Sequence, residues 1–127
     1  MTSALIDADV LVDYLGGDAR ARRAVESFAH WSISVVTWLE LMAQCPTGLE
    51  EPTRAVLRRF ERLSISESIA DEALRLLQLH PALPQPRALA WATARVNQLC
   101  LVTADSAHSR DADDMVLLPY RRRTAAP

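Results

Sequence analysis

Apolar and polar positions alternate between two periods along this chain, and the switches mark its elements. Ala4-Leu-Ile6 is a short apolar run bounded by polar residues, too short for a helix and typical of a strand buried on both faces of a parallel sheet. Beyond Asp7 and Asp9, the apolar Val10, Leu11, Tyr14 and Leu15 recur at helical spacing and stop at Gly16-Gly17, a helix terminator. From Asp18 to Ala29, Ala21, Ala24, Val25 and Phe28 repeat at three and four residues with arginines opposite, which predicts an amphipathic helix capped by Asp18. Trp31 to Val36 alternates and is rich in β-branched residues, which predicts a strand. Ser34 or Thr37 can then cap a helix from Val36 to Ala43 that carries Glu40, before the break at Pro46-Thr-Gly48.

In the second half, Val56, Leu57, Phe60 and Leu63 predict a helix from Glu50 to Arg62, followed by a minor strand over Leu63-Ser-Ile65. Ser66 or Ser68 opens a helix to Leu79 with an apolar face of Ile69, Ala73, Leu76 and Leu77. His80 to Pro86 holds three prolines and reads as a loop, with Pro86 suited to the first turn of a helix over Arg87 to Asn97. Leu99 to Thr103 is a second strongly strand-like run and ends, like the first, just before an acid, here Asp105. A short helix or turn through His108 leads to a last strand, Met115 to Leu118, stopped by Pro119. Residues 121–127, with Arg121-Arg122-Arg123, read as a disordered basic tail. Strands alternating with helices predict an α/β fold, a three-layer sandwich around a mainly parallel sheet, in a single domain over residues 1–120.

That architecture gives the acids a place. In an open parallel sheet the carboxyl ends of the strands share one edge, where such folds collect their ligands. Asp7 follows the first strand and Asp105 the strand Leu99–Thr103, while Glu40 lies about one turn into the helix after the second strand. Each also has a purely structural reading. Asp7 and Asp9 can each cap the following helix, the cap being the better reading for Asp9 and the functional role for Asp7, Thr37-x-x-Glu40 fits a capping box, and Asp105 can cap the helix or turn after it. If the three meet in one cleft, they stay ionised together only beside a cation. Hard oxygen donors without histidine or cysteine suit Mg²⁺, with Mn²⁺ as substitute, and such a site hydrolyses phosphodiesters through a metal-activated water.

Composition narrows the classes further. With 50% apolar and 24% charged residues the chain has the balance of a globular domain. It has no stretch of roughly 20 apolar residues and no secretory signal pattern, so it is expected to be cytoplasmic, without a membrane partner. Cys45 and Cys100 lack the paired spacing of zinc sites or disulfide frameworks. A net charge of −2 argues against binding nucleic acid through overall charge, although Arg20, Arg22 and Arg23, the Arg54–Arg62 cluster and the arginine tail are candidate phosphate contacts. Every cationic residue other than histidine is arginine. Chemistry that requires lysine is therefore excluded.

Four segments in order carry a resemblance: Ile6-Asp-Ala-Asp-Val-Leu-Val-Asp-Tyr-Leu15, Ser34-Val-Val-Thr-Trp-Leu-Glu-Leu41, Ala88-Leu-Ala-Trp-Ala-Thr-Ala94 and Leu101-Val-Thr-Ala-Asp105. Together they resemble a PIN domain, in particular the VapC toxins of bacterial toxin–antitoxin pairs, from about Ser3 to Tyr120. The resemblance implies a Mg²⁺-dependent endoribonuclease, a homodimer acting on RNA and blocked by a cognate antitoxin. The family's first, second and fourth acids fall on Asp7, Glu40 and Asp105, which the resemblance makes catalytic and metal-binding. Thr103 matches a position beside the site, and Asp9 stands where the family often has Asn.

The third acid is absent. Its place at the start of the Ala-Leu-x-x-Ala-Thr-Ala helix is Arg87, and no acid lies between Glu72 and Asp105 to replace it. Trp91, one turn further on, also departs from the family's small residue. A guanidinium there can form bidentate bonds with Asp7 or Asp105 in the space of a metal, and stack on Trp91. The expectation is therefore an impaired nuclease. The alternative is a non-catalytic PIN-fold binding module, in which the dimer or antitoxin contact is the retained function. The opening Asp7-Ala-Asp9-Val10 also resembles haloacid-dehalogenase-type phosphatases, a remote alternative because that family needs a lysine.

Overall fold

The computed structural model describes residues 3–105 and 115–120. Five strands, β1 (Ser3–Ile6), β2 (His30–Ser34), β3 (Glu61–Leu63), β4 (Cys100–Val102) and β5 (Val116–Leu117), form one sheet in the order β3-β2-β1-β4-β5. Every pairing among them is parallel. Six helices connect them: α1 (Ala8–Leu15), α2 (Ala19–Glu26), α3 (Val35–Ala43), α4 (Glu50–Leu57), α5 (Glu67–Leu79) and α6 (Gln85–Val96).

Alternation along the strands splits the core into two. Ala4, Ile6, Ile33, Cys100 and Val102 point to one face, packed against buried side chains of α1, α2, α3 and α4. Leu5 and Leu101 point to the other, beneath α5 and α6. The expected three-layer α/β sandwich is present, and its sheet is parallel throughout the described strands. β1 sits at the centre with all of Ala4, Leu5 and Ile6 fully buried, which is why that segment is continuously apolar.

Side-chain caps set several boundaries as the sequence indicates. Asp18 caps α2 through the Arg20 amide, Ser34 caps α3 through Val36 and Ser66 caps α5 through Ile69. Four local expectations need correction. α4 ends at Leu57, not Arg62, and β3 occupies Glu61–Leu63 instead of 63–65, because a tight turn over 58–60 lets Ser32–Ser34 pair with Glu61–Leu63. Thr37 lies buried inside α3, so Glu40 has no capping-box partner there. The N-cap of α1 is Asp7, not Asp9. The turn through His108 and the tail 121–127 lie outside the described residues.

Candidate active site

Asp7 leaves β1 at the centre of the sheet, with its amide donating to the Val102 carbonyl at 2.9 Å. Its Oδ1 accepts from the Ala8 amide at 2.9 Å, and Thr103 Oγ1 donates to its Oδ2 at 3.0 Å. Thr103 is fully buried at the end of β4, and its hydroxyl in turn accepts the Asp105 amide at 3.2 Å. Asp9, on the first turn of α1, accepts from the Val10 amide at 2.7 Å and from the Ala104 amide at 3.1 Å. The two strand–acid junctions thus interlock across β1 and β4.

Arg87, in the first turn of α6, projects into this junction. Its Nη2 lies 3.3 Å from Asp7 Oδ2 and 3.5 Å from Asp9 Oδ2, and its Nη1 lies 2.7 Å from Asp105 Oδ2. Among the described residues Nη1 makes no hydrogen bond, so its contact with Asp105 is an ion pair without aligned N–H geometry. The Arg87 side chain is only 15% exposed. A cation in the first helical turn faces the positive end of the helix dipole, so the carboxylates must hold it there.

Burial drives the Asp7 carboxyl up from its ordinary 3.8 to about 6; Arg87 opposes that rise, Asp9 adds to it, and the Ala8 and Thr103 hydrogen bonds oppose it. Glu40, half-buried on α3, is likewise raised by desolvation, and Arg87 again acts against the shift. Glu40 therefore senses the guanidinium electrostatically, although Arg87's ion pairs among the described residues are with Asp7, Asp9 and Asp105. The expected stacking on Trp91 is not part of this arrangement: the described guanidinium-on-ring contacts involve Arg20, Arg54, Arg59 and Arg62, and the Trp91 ring meets His80.

The segment Ala4 to residue 113 matches the family model described as PIN domain. The chain belongs to the PIN-domain family. Among solved structures, this PIN domain is similar to a chain of a toxin–antitoxin complex from Klebsiella pneumoniae, at 32% identity and a TM-score of 0.87, covering 94% of this chain and 100% of that one. It also shares the fold of a chain of FitAcB from Neisseria gonorrhoeae, at 21% identity and TM-score 0.73, covering 91% and 97% of the two chains. A chain of VapBC2 from Rickettsia felis, bound to a promoter DNA fragment, matches at 15% identity and TM-score 0.74, covering 94% and 98%. A comparison with curated proteins finds no match.

PIN-domain nucleases generally work with a divalent metal, and the oxygen donors of this PIN domain are of the right hardness for one. Their arrangement is not. The guanidinium lies within 3.5 Å of three carboxylates, and among the described residues no group of three or more acid, histidine or cysteine side chains is set to hold a metal. With Arg87 inserted, the residues do not fit a divalent cation. Asp7, Asp9, Thr103, Asp105 and Arg87 lie together at the carboxyl edge of the sheet. The sequence gives no sign of the Ala104 amide as a donor, because that contact depends on how β4 ends beside α1.

Proposed function

We propose that this chain is the toxin of a VapC-type toxin–antitoxin pair, an endoribonuclease whose activity Arg87 lowers. The hydrolytic centre in this reading is Asp7, Glu40 and Asp105, supported by Asp9 and Thr103, with Arg87 at the third acid position in the space that the family's cofactor, Mg²⁺ or Mn²⁺, would otherwise take. The observation that carries it is the gathering of Asp7, Asp9 and Asp105 around one point at the carboxyl edge of a PIN sheet. The similarity to a chain of a toxin–antitoxin complex across nearly its whole length supports the antitoxin partner. So does an apolar groove of about 480 Å³ between α1, α3 and α4, lined by Val12, Leu15, Leu41, Leu49 and Val56, which offers a seat for an antitoxin segment. Among the described residues no helix is long and apolar enough to cross a membrane. The proposal includes a cytoplasmic homodimer built of one PIN domain over residues 1–120.

The test is RNA cleavage in Mg²⁺ by this chain and by Arg87→Asp. The chain is expected to cleave slowly or not at all, and the variant at least about tenfold faster, since one well-placed electrostatic group contributes on the order of 10²-fold or more. Equal, rapid cleavage by both would overturn the impairment. The second reading, a PIN fold kept for binding, is favoured by the ion pairs of Arg87; it wins if Arg87→Asp is also inert while the chain still binds a co-expressed antitoxin.

A further inference from the structure

We infer that Arg87 is the resident cation of the acidic centre, replacing a divalent metal as counter-charge, so that the centre is complete in metal-free protein and gains nothing from Mg²⁺ or Mn²⁺. This goes beyond the ribonuclease reading and does not depend on it. Three carboxylates, Asp7 at the β1–α1 junction, Asp9 on α1 and Asp105 after β4, converge on one guanidinium at 2.7 to 3.5 Å. The side chains of Asp7 and Asp9 are 4% and 9% exposed, so water cannot screen their mutual repulsion well. Carboxylates so placed need a neutralising charge, and a planar fork with two terminal nitrogens can meet several oxygens at once where a point charge cannot. Nη2 spans Asp7 and Asp9 while Nη1 takes Asp105.

The scaffold holds that fork in place. Immediately after Arg87, Ala88, Ala90, Trp91 and Ala92 are buried against the sheet, which fixes the first turn of α6 as a rigid mount. The helix dipole disfavours a cation there. A guanidinium that is nonetheless buried to this degree is retained by its acids, and a metal would have to expel it from them.

The experiment measures thermal unfolding and Mn²⁺ binding by electron paramagnetic resonance, for the chain, Arg87→Gln and Arg87→Ala, in EDTA and in Mn²⁺. The chain is expected to melt at the same temperature in both and to bind no Mn²⁺ at the centre. Both variants should melt roughly 5 °C or more lower in EDTA, the scale expected when a buried charge loses its partner in a domain of this size. Mn²⁺ should then bind and recover part of that loss. Stoichiometric Mn²⁺ binding by the unaltered chain, or variants whose melting in EDTA is unchanged, would overturn the inference. Should neither variant fold, the metal titration of the unaltered chain decides alone. RNA cleavage enters none of these readouts, so a failed ribonuclease reading and a failed counter-charge are told apart.

Discussion

The Thr103 hydroxyl donates to Asp7 Oδ2 at 3.0 Å, joining the ends of two adjacent central strands that lie far apart in sequence. The same oxygen accepts the Asp105 amide, so a single buried hydroxyl positions both acids. Thr103→Val keeps the shape and removes the donor and the acceptor together. It is expected to cost about 1–3 kcal/mol, the penalty for leaving buried polar groups unpaired. Thr103→Ser should recover most of it. Urea denaturation of the three proteins checks this; a Val variant as stable as the parent would show that the hydroxyl is dispensable.

Asp7 makes the stability of the protein depend on pH in an unusual direction. Its folded value of about 6 exceeds the ordinary 3.8, so between those values the folded state keeps a proton that the unfolded chain has released. Its contribution is therefore full below about pH 4 and is lost as pH rises through 6; Glu40, also raised, acts in the same sense. Asp18 and Glu72 are both depressed to about 2, and their contributions are lost only as pH falls below their ordinary values of 3.8 and 4.5. Urea midpoints should accordingly be higher near about pH 5 than near about pH 7. Asp7→Asn should shrink that difference, and a parent midpoint that climbs from pH 5 to 7 would contradict the assignment.

Glu72 clamps the two helices that cover one face of the sheet. Its carboxylate takes Arg75 Nε and Nη2 at 2.8 and 2.7 Å within α5 and Arg95 Nε at 2.6 Å from α6. The arginines are 48% and 36% exposed, so solvent screens the pairs. Glu72→Gln is expected to cost only about 1 kcal/mol, and the cost should diminish in molar salt. Chemical denaturation at low and high ionic strength measures both; a salt-independent loss would point to packing instead of charge.

Self-association is expected from the apolar residues that the fold leaves outside. Leu74 and Leu79 on α5 are 56% and 60% exposed, as are substantial parts of Val96 and Met115. A homodimer would cover such surface. Light scattering at high micromolar concentration should return twice the chain mass; a monomer would refute the dimer.

Much of the fold is legible in the sequence because burial and periodicity agree. Ala4-Leu-Ile6 must be apolar throughout, since helices cover both of its faces. The α4–β3 boundary is less legible: Val56, Leu57, Phe60 and Leu63 fit a continuing helix, yet Phe60 is buried from the turn and Leu63 half-buried from the strand. The candidate site is legible where an acid follows a strand, and Arg87 is visible as a misplaced charge. The role of Asp9 is not, because an N-cap and a partner of the Ala104 amide look alike until α1 and the end of β4 are set side by side.

The central place of β1 bears on how the protein is made. Ser3, Ala4 and Leu5 pair on one side with residues 30–32, whereas Ala4, Leu5 and Ile6 pair on the other with Cys100, Leu101 and Val102, which are made much later. Asp7 can therefore meet Thr103, Arg87 and Asp105 only when the segment through Asp105 has left the ribosome, and parallel pairing over such a separation is slow. A nascent or truncated chain would carry Asp7 and Asp9 long before it carried an acidic centre.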